Sequence, residues 1–107
     1  MSLDKTVYIS QLFSFYKLLL TEKQRDMLSL YYEEDLSLSE IADEFDISRQ
    51  GVHDNIRRGE NSLVEYEKAL KLNERRLKRM DLLNQLNDLV VEEAASEVIA
   101  KLILLDE

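Results

Sequence analysis

The stretch Leu36-Ser-Leu-Ser-Glu-Ile-Ala-Asp-Glu-Phe-Asp-Ile-Ser-Arg-Gln-Gly-Val-His-Asp-Asn-Ile-Arg-Arg58 decides how the 107-residue chain is read. Ser37 and Glu40 stand at capping-box spacing, so the hydroxyl can accept from a free amide at a helix start while the carboxylate reaches back. Leu38, Ile41, Ala42 and Phe45 then recur at helical intervals. Ala42 is small enough for two helices to cross over it. Asp46, four residues on, belongs to the few non-glycine types that enter the left-handed backbone region readily. Ser48 can cap a second helix, and Ile47, Val52 and Ile56 have the offsets that hold it against the first. These features predict a helix-turn-helix over residues 36 to 58.

Upstream, Thr21 and Gln24 make a second capping box, opening a helix whose buried stripe is Met27, Leu28, Tyr31 and Tyr32. Glu33, Glu34 and Asp35 sit badly at the negative end of a helix dipole, so they are expected in the following turn. A first helix is expected from about Asp4 to Leu19, with a wide apolar face from Val7 to Leu20 and almost no charge. Such a helix suits either the core or a dimer interface.

Downstream, Val52, Ile56, Gly59, Leu63, Tyr66 and Leu70 predict a long helix from Ser48 to about Leu72. Leu77, Met80, Leu83, Leu86 and Val90 repeat at about 3.5 residues, as in a bundle helix. Ala95, Val98, Ile99, Leu102 and Leu105 form a last amphipathic series after an expected break near Glu92 to Ser96.

Composition supports an all-α fold. There is no Pro, only two Gly, and 45% of residues are hydrophobic, so little is available for the turns a sheet needs. The expectation is one domain over 1–107, comprising an apolar helix (1–20), a helix-turn-helix unit (21–72) and C-terminal amphipathic helices (73–107). The chain has no Cys, which excludes disulfides and thiolate metal sites. Its start lacks a basic segment followed by an apolar run, and no apolar stretch approaches the ~20 residues of a membrane span. A soluble, cytoplasmic protein without membrane insertion is expected.

The formal net charge of −8 argues against a surface that clings to nucleic acid everywhere, because binding of that kind is driven by phosphate neutralisation. The charge is uneven, however. Residues 21–46 hold nine acidic and two basic side chains, whereas residues 47–58 hold three basic and one acidic. In a helix-turn-helix the second helix enters the major groove and reads bases from its N-terminal half. The candidate contact residues are Arg49, Gln50, His53, Arg57 and Arg58: Arg pairs with guanine, Gln with adenine, and the last two arginines suit phosphate. The alternative is a scaffold or protein-binding role, since Asp54, Glu40, Asp43 and Glu44 would repel phosphate.

A second basic cluster, Arg75, Arg76, Lys78 and Arg79, is either a solvated face paired with Glu74 and Asp81 or a phosphate-binding stripe for structured RNA. His53 has no Cys or second His to work with, and there is no phosphate loop or calcium loop. No catalytic residues, metal site or cofactor are expected, and the chain does not read as an enzyme.

From Leu20 to about Leu63 the chain resembles region four of bacterial sigma factors, through Leu20-Thr-Glu-Lys-Gln-Arg25, Leu28-Ser-Leu-Tyr-Tyr32, Leu36-Ser-Leu-Ser-Glu-Ile-Ala42 and Ile47-Ser-Arg-Gln-Gly-Val52. Phe13-Ser-Phe-Tyr16, Ser48-Arg-Gln50 and Asp54-Asn-Ile-Arg-Arg58 carry a narrower resemblance, to the YlxM family of helix-turn-helix proteins. That resemblance implies a small, cytoplasmic, homodimeric helical protein. It also implies an accessory or regulatory role in the signal recognition particle pathway of co-translational membrane targeting, with the particle RNA or its GTPase as partner. The sigma likeness alone implies a sequence-specific DNA-binding regulator. His53 and Gly51 depart from the Tyr and Ala more usual in the YlxM family.

Overall fold

The computed structural model describes residues 3–106, which form six α-helices and no strand. They are α1 (Leu3–Tyr16), α2 (Glu22–Tyr32), α3 (Leu38–Phe45), α4 (Arg49–Leu70), α5 (Leu72–Leu89) and α6 (Glu93–Leu105). The fold is all-α, as composition and periodicity predict. The helices fall into two compact units, one ending at Leu70 and the other beginning at Lys71.

In the first unit α4 packs against α1, α2 and α3. Its core contains Ile9, Leu12, Phe13, Tyr16, Met27, Leu28, Ile41, Val52, Ile56 and Leu63, one stripe from each helix. The apolar α1 is therefore a core helix along Ile9, Leu12, Phe13 and Tyr16, although Leu3, Val7 and Tyr8 remain exposed.

Both predicted capping boxes are present. Thr21 Oγ1 accepts from the Gln24 amide at 3.2 Å, and Gln24 Oε1 accepts from the Thr21 amide at 3.3 Å. The Glu40 amide donates to Ser37 Oγ at 3.1 Å, and Glu40 Oε1 accepts from the Ser37 amide at 3.0 Å. The Ser37 amide also holds the Glu40 carboxyl below its ordinary range. The acidic triplet lies beyond α2, with Asp35 at φ 59°.

Helix ends differ from the sequence expectation in three places. α1 stops at Tyr16, and Lys17–Leu19 tighten into a 3₁₀ turn that leads to the extended Leu20. α4 ends at Leu70, which is exposed rather than buried, and Lys71 takes the left-handed conformation before α5 begins. The break ahead of α6 falls at Val90–Glu92. Val90 is extended, as suits one member of a β-branched pair, and Glu92 is the N-cap.

The second unit is a hairpin in which α5 packs on α6. Of the predicted seam, Met80, Leu83 and Val90 are half-buried, Leu77 and Leu86 are exposed, and in α6 Ile99 alone is buried. Neither Lys71 nor Glu92 makes a side-chain cap bond.

Candidate nucleic-acid interface

Helices α3 and α4 build the site. Ala42 is nearly fully buried where they cross. At Asp46 the backbone turns through φ 55°, ψ 46°, and its amide donates to the Ala42 carbonyl. The Ile47 amide donates to the same carbonyl at 3.1 Å. An Asp at this left-handed position thus does the work a glycine would ordinarily do. Ser48 Oγ accepts from the Gly51 amide at 3.0 Å and starts α4. Below the surface, Val52 and Ile56 enter the core, so the opposite side of α4 faces solvent.

That side carries every predicted contact residue: Arg49, Gln50, His53, Arg57 and Arg58 are all exposed. Arg49, His53 and Arg57 are spaced by four and form one ridge, while Gln50, Asp54 and Arg58 form the next. At 1.5 Å rise per residue the first ridge spans on the order of 12 Å, comparable to the width of a major groove. Among the described residues, Arg49, Arg57 and Arg58 have no carboxylate partner. Their charge is therefore available to an external anion.

Asp54 is not idle. Its Oδ1 accepts from Gln50 Nε2 at 3.0 Å and lies 3.7 Å from His53 Nδ1. The amide that would read adenine is held within the helix surface, and the nearest negative charge is partly engaged. Asn55 donates to the Gly51 carbonyl at 2.8 Å and reinforces the first turn of α4.

The second basic cluster is arranged differently. Arg79 makes a bidentate pair with the Asp106 carboxylate at 2.9 and 2.8 Å, and Arg76 Nε donates to the Asp106 carbonyl at 2.6 Å. Lys78 lies 3.2 Å from Glu74. The hydrogen bonds from Arg79 hold the Asp106 carboxyl below its ordinary range and raise the guanidinium. Lys78 pairs with Glu74 as the solvated-face reading expects, but Asp81 accepts from Gln85 instead of an arginine.

The sequence reading missed two buried carboxylates on α4. Glu67 Oε1 accepts from Tyr16 Oη at 2.7 Å, and Glu60 Oε2 accepts from Tyr32 Oη at 2.6 Å. Burial and the bond to Glu60 push the Tyr32 phenol well above its ordinary value. The two bonds tie α1 and α2 to the helix that carries the site. The signal was available: Glu60 and Glu67 lie four residues beyond Ile56 and Leu63, on the buried stripe.

Among the described residues no group of three or more His, Cys, Asp or Glu could hold a metal ion, and no helix is long and apolar enough to cross a membrane.

The crossing at Ala42, the turn at Asp46 and the exposed α4 define a helix-turn-helix protein. The chain belongs to the UPF0122 family, described as "Putative helix-turn-helix protein, YlxM / p13 like", whose model matches residues 3–103. A UPF0122 protein of Halalkalibacterium halodurans is 52% identical over 101 residues, covering 94% of this chain and 93% of that protein. One from Shouchella clausii is also 52% identical with the same coverage. A UPF0122 protein of Bacillus cereus is 53% identical over 91 residues, 85% of this chain and 83% of its own.

Proposed function

We propose that this protein is a non-catalytic, cytoplasmic regulatory module that docks on nucleic acid through α4. The observation that carries the reading is the set of three exposed guanidiniums, Arg49, Arg57 and Arg58, left without carboxylate partners in a chain of net charge −8. In the C-terminal cluster, by contrast, Arg76, Lys78 and Arg79 are engaged internally. The resemblance to the YlxM family supports the signal recognition particle pathway as its setting. The proposed partners are then the particle RNA and GTPase, and the proposed working form is a homodimer.

The test is binding of the full chain to the particle RNA, the GTPase and random duplex DNA, across a salt series. RNA binding should weaken steeply with salt, and Arg57→Ala should reduce the slope of log affinity against log salt by about one. Absence of binding to RNA and GTPase alike would overturn the reading.

A second reading, a sequence-specific DNA-binding regulator, is favoured by the exposure of Arg49 in the first turn of α4, where recognition helices meet base edges. It requires that a single sequence be selected from the random duplex pool and that Arg49→Ala relax that selection.

A further inference from the structure

The first unit holds a pocket of about 190 Å³ in which none of the α4 arginines takes part. It is lined by Thr6 of α1, Tyr31 and Tyr32 of α2, and Asp35 and Leu36 of the turn into α3. The two tyrosine rings stand at 89° with centroids 5.1 Å apart, so two aromatic walls meet at a corner. Tyr32 is fixed there, since its Oη donates to Glu60 Oε2 at 2.6 Å.

The turn is held as firmly. The Glu34 amide donates to the Ser29 carbonyl at 3.1 Å, and the Leu36 amide to the Leu30 carbonyl at 3.0 Å. Between them Asp35 sits at φ 59°, where a glycine would be easier. Its carboxylate has no hydrogen-bond or ion-pair partner among the described residues, and Lys5, next to Thr6, does not pair with it.

These groups select a ligand by charge and shape. Aromatic faces beside an unused carboxylate favour a cation. A guanidinium uses both at once, because it is flat enough to stack on a ring and forked enough to pair with a carboxylate. The aliphatic stem behind it can lie on Leu36. Residues 33–48 hold seven acidic side chains, all exposed, and no basic one, so the surroundings attract a basic segment and repel phosphate. That favours a protein chain over a nucleic acid as the source of the cation.

We infer that this pocket receives an arginine side chain from a basic segment of a partner protein, the guanidinium lying on a tyrosine face and pairing with Asp35. The inference does not rest on the nucleic-acid reading of α4.

The test is an NMR titration of the full chain with the peptide acetyl-Gly-Arg-Gly-Arg-Gly amide at about 0.15 M salt, where diffuse attraction is largely screened. Saturable shifts of the Tyr31 ring and the Asp35 amide are expected, and the same peptide with lysine for arginine should bind more weakly. Asn also tolerates the left-handed backbone, so Asp35→Asn should leave the fold intact and weaken binding about tenfold. Tyr31→Leu should weaken it about threefold. Glu44→Gln removes an equal charge outside the lining and should change affinity by less than about twofold.

Absence of a saturable shift overturns the inference. Equal losses in Asp35→Asn and Glu44→Gln overturn it in favour of a diffuse acidic surface, and equal binding of the lysine peptide overturns the guanidinium assignment. A single-stranded oligouridine that shifts the Tyr31 ring where the peptide does not would make nucleic acid the occupant, which overturns it as well.

Discussion

Helices α2 and α3 each begin on a capping box and send a stripe of fully buried side chains into a shared core. Helices α5 and α6 begin on Lys71 and Glu92, whose side chains make no cap bond, and Ile99 and Asn73 are their only buried residues among those described. The first unit draws its stability from local signals and long-range packing that agree with each other. The second has helical sequence and apolar periodicity but little of its own to bury them in. Agreement between pattern and burial, not pattern alone, separates a unit with a closed core from one whose apolar side chains stay largely exposed.

The largest effect is expected at Leu63. Leu63→Ala removes a fully buried side chain from the α4 stripe and should cost about 3 kcal/mol in urea unfolding. The same truncation at the exposed Leu82 should stay within about 0.5 kcal/mol at high dilution.

Next in size is Gly59→Val. A Cβ at Gly59 would meet Leu28 Cδ1 at 2.7 Å and Cγ at 3.4 Å, and Leu28 is fully buried, so about 2 kcal/mol should be lost. Tyr16→Phe should follow at about 1–2 kcal/mol, since it removes a 2.7 Å bond to a carboxylate that is only 8% exposed.

Ser37→Ala should cost about 1 kcal/mol by removing the α3 cap. The Glu40 half of the same capping box depends on pH with a definite sign. The Glu40 carboxyl is held below its ordinary 4.5 in the folded chain, so its contribution is complete above that value and is lost as pH falls through the lowered one. Thermal unfolding of wild type and Glu40→Gln should therefore show a gap in Tm that narrows as pH falls from neutral to well below 4.5, because residue 37 keeps its backbone amide and only the charge of residue 40 differs.

The smallest effect has the opposite sign. A Cβ at Gly51 would meet the Ser48 hydroxyl at 3.2 Å and Ile47 Cδ1 and Cγ1 at 3.5 and 4.0 Å. Ser48 Oγ needs to give by only a few tenths of an ångström and can still accept from the residue-51 amide, so Gly51→Ala should stabilise α4 by about 0.5 kcal/mol through helix propensity. Two glycines on one helix would then respond in opposite directions, one set by packing and the other by backbone entropy.

How much of this was legible in the sequence follows the same division. Thr21 with Gln24, Ser37 with Glu40, and Asp46 four residues after Ala42 are local signals, and each appears in the structure as expected. The exposure of the α4 basic residues was legible because the buried positions leave a defined opposite face. The Tyr16–Glu67 and Tyr32–Glu60 bonds were not read, since a glutamate within a helical pattern looks solvent-facing unless its stripe is counted. The internal pairing of Arg76 and Arg79 with Asp106 was also beyond reach, because it joins residues about thirty apart whose approach depends on the hairpin. Periodicity in α5 and α6 predicted a seam without showing how far it is covered.

The bond between Tyr16 and Glu67 has a consequence in time. Its partners are 51 residues apart, so it cannot form until α1 has docked on α4, late in the search for the native state. An interaction absent from the transition state leaves the folding rate almost unchanged and acts on the rate of opening instead. Tyr16→Phe should therefore shorten the lifetime of the folded chain while refolding proceeds at its former pace. The buried phenol would act as a latch on how long α4 keeps its outer face presented.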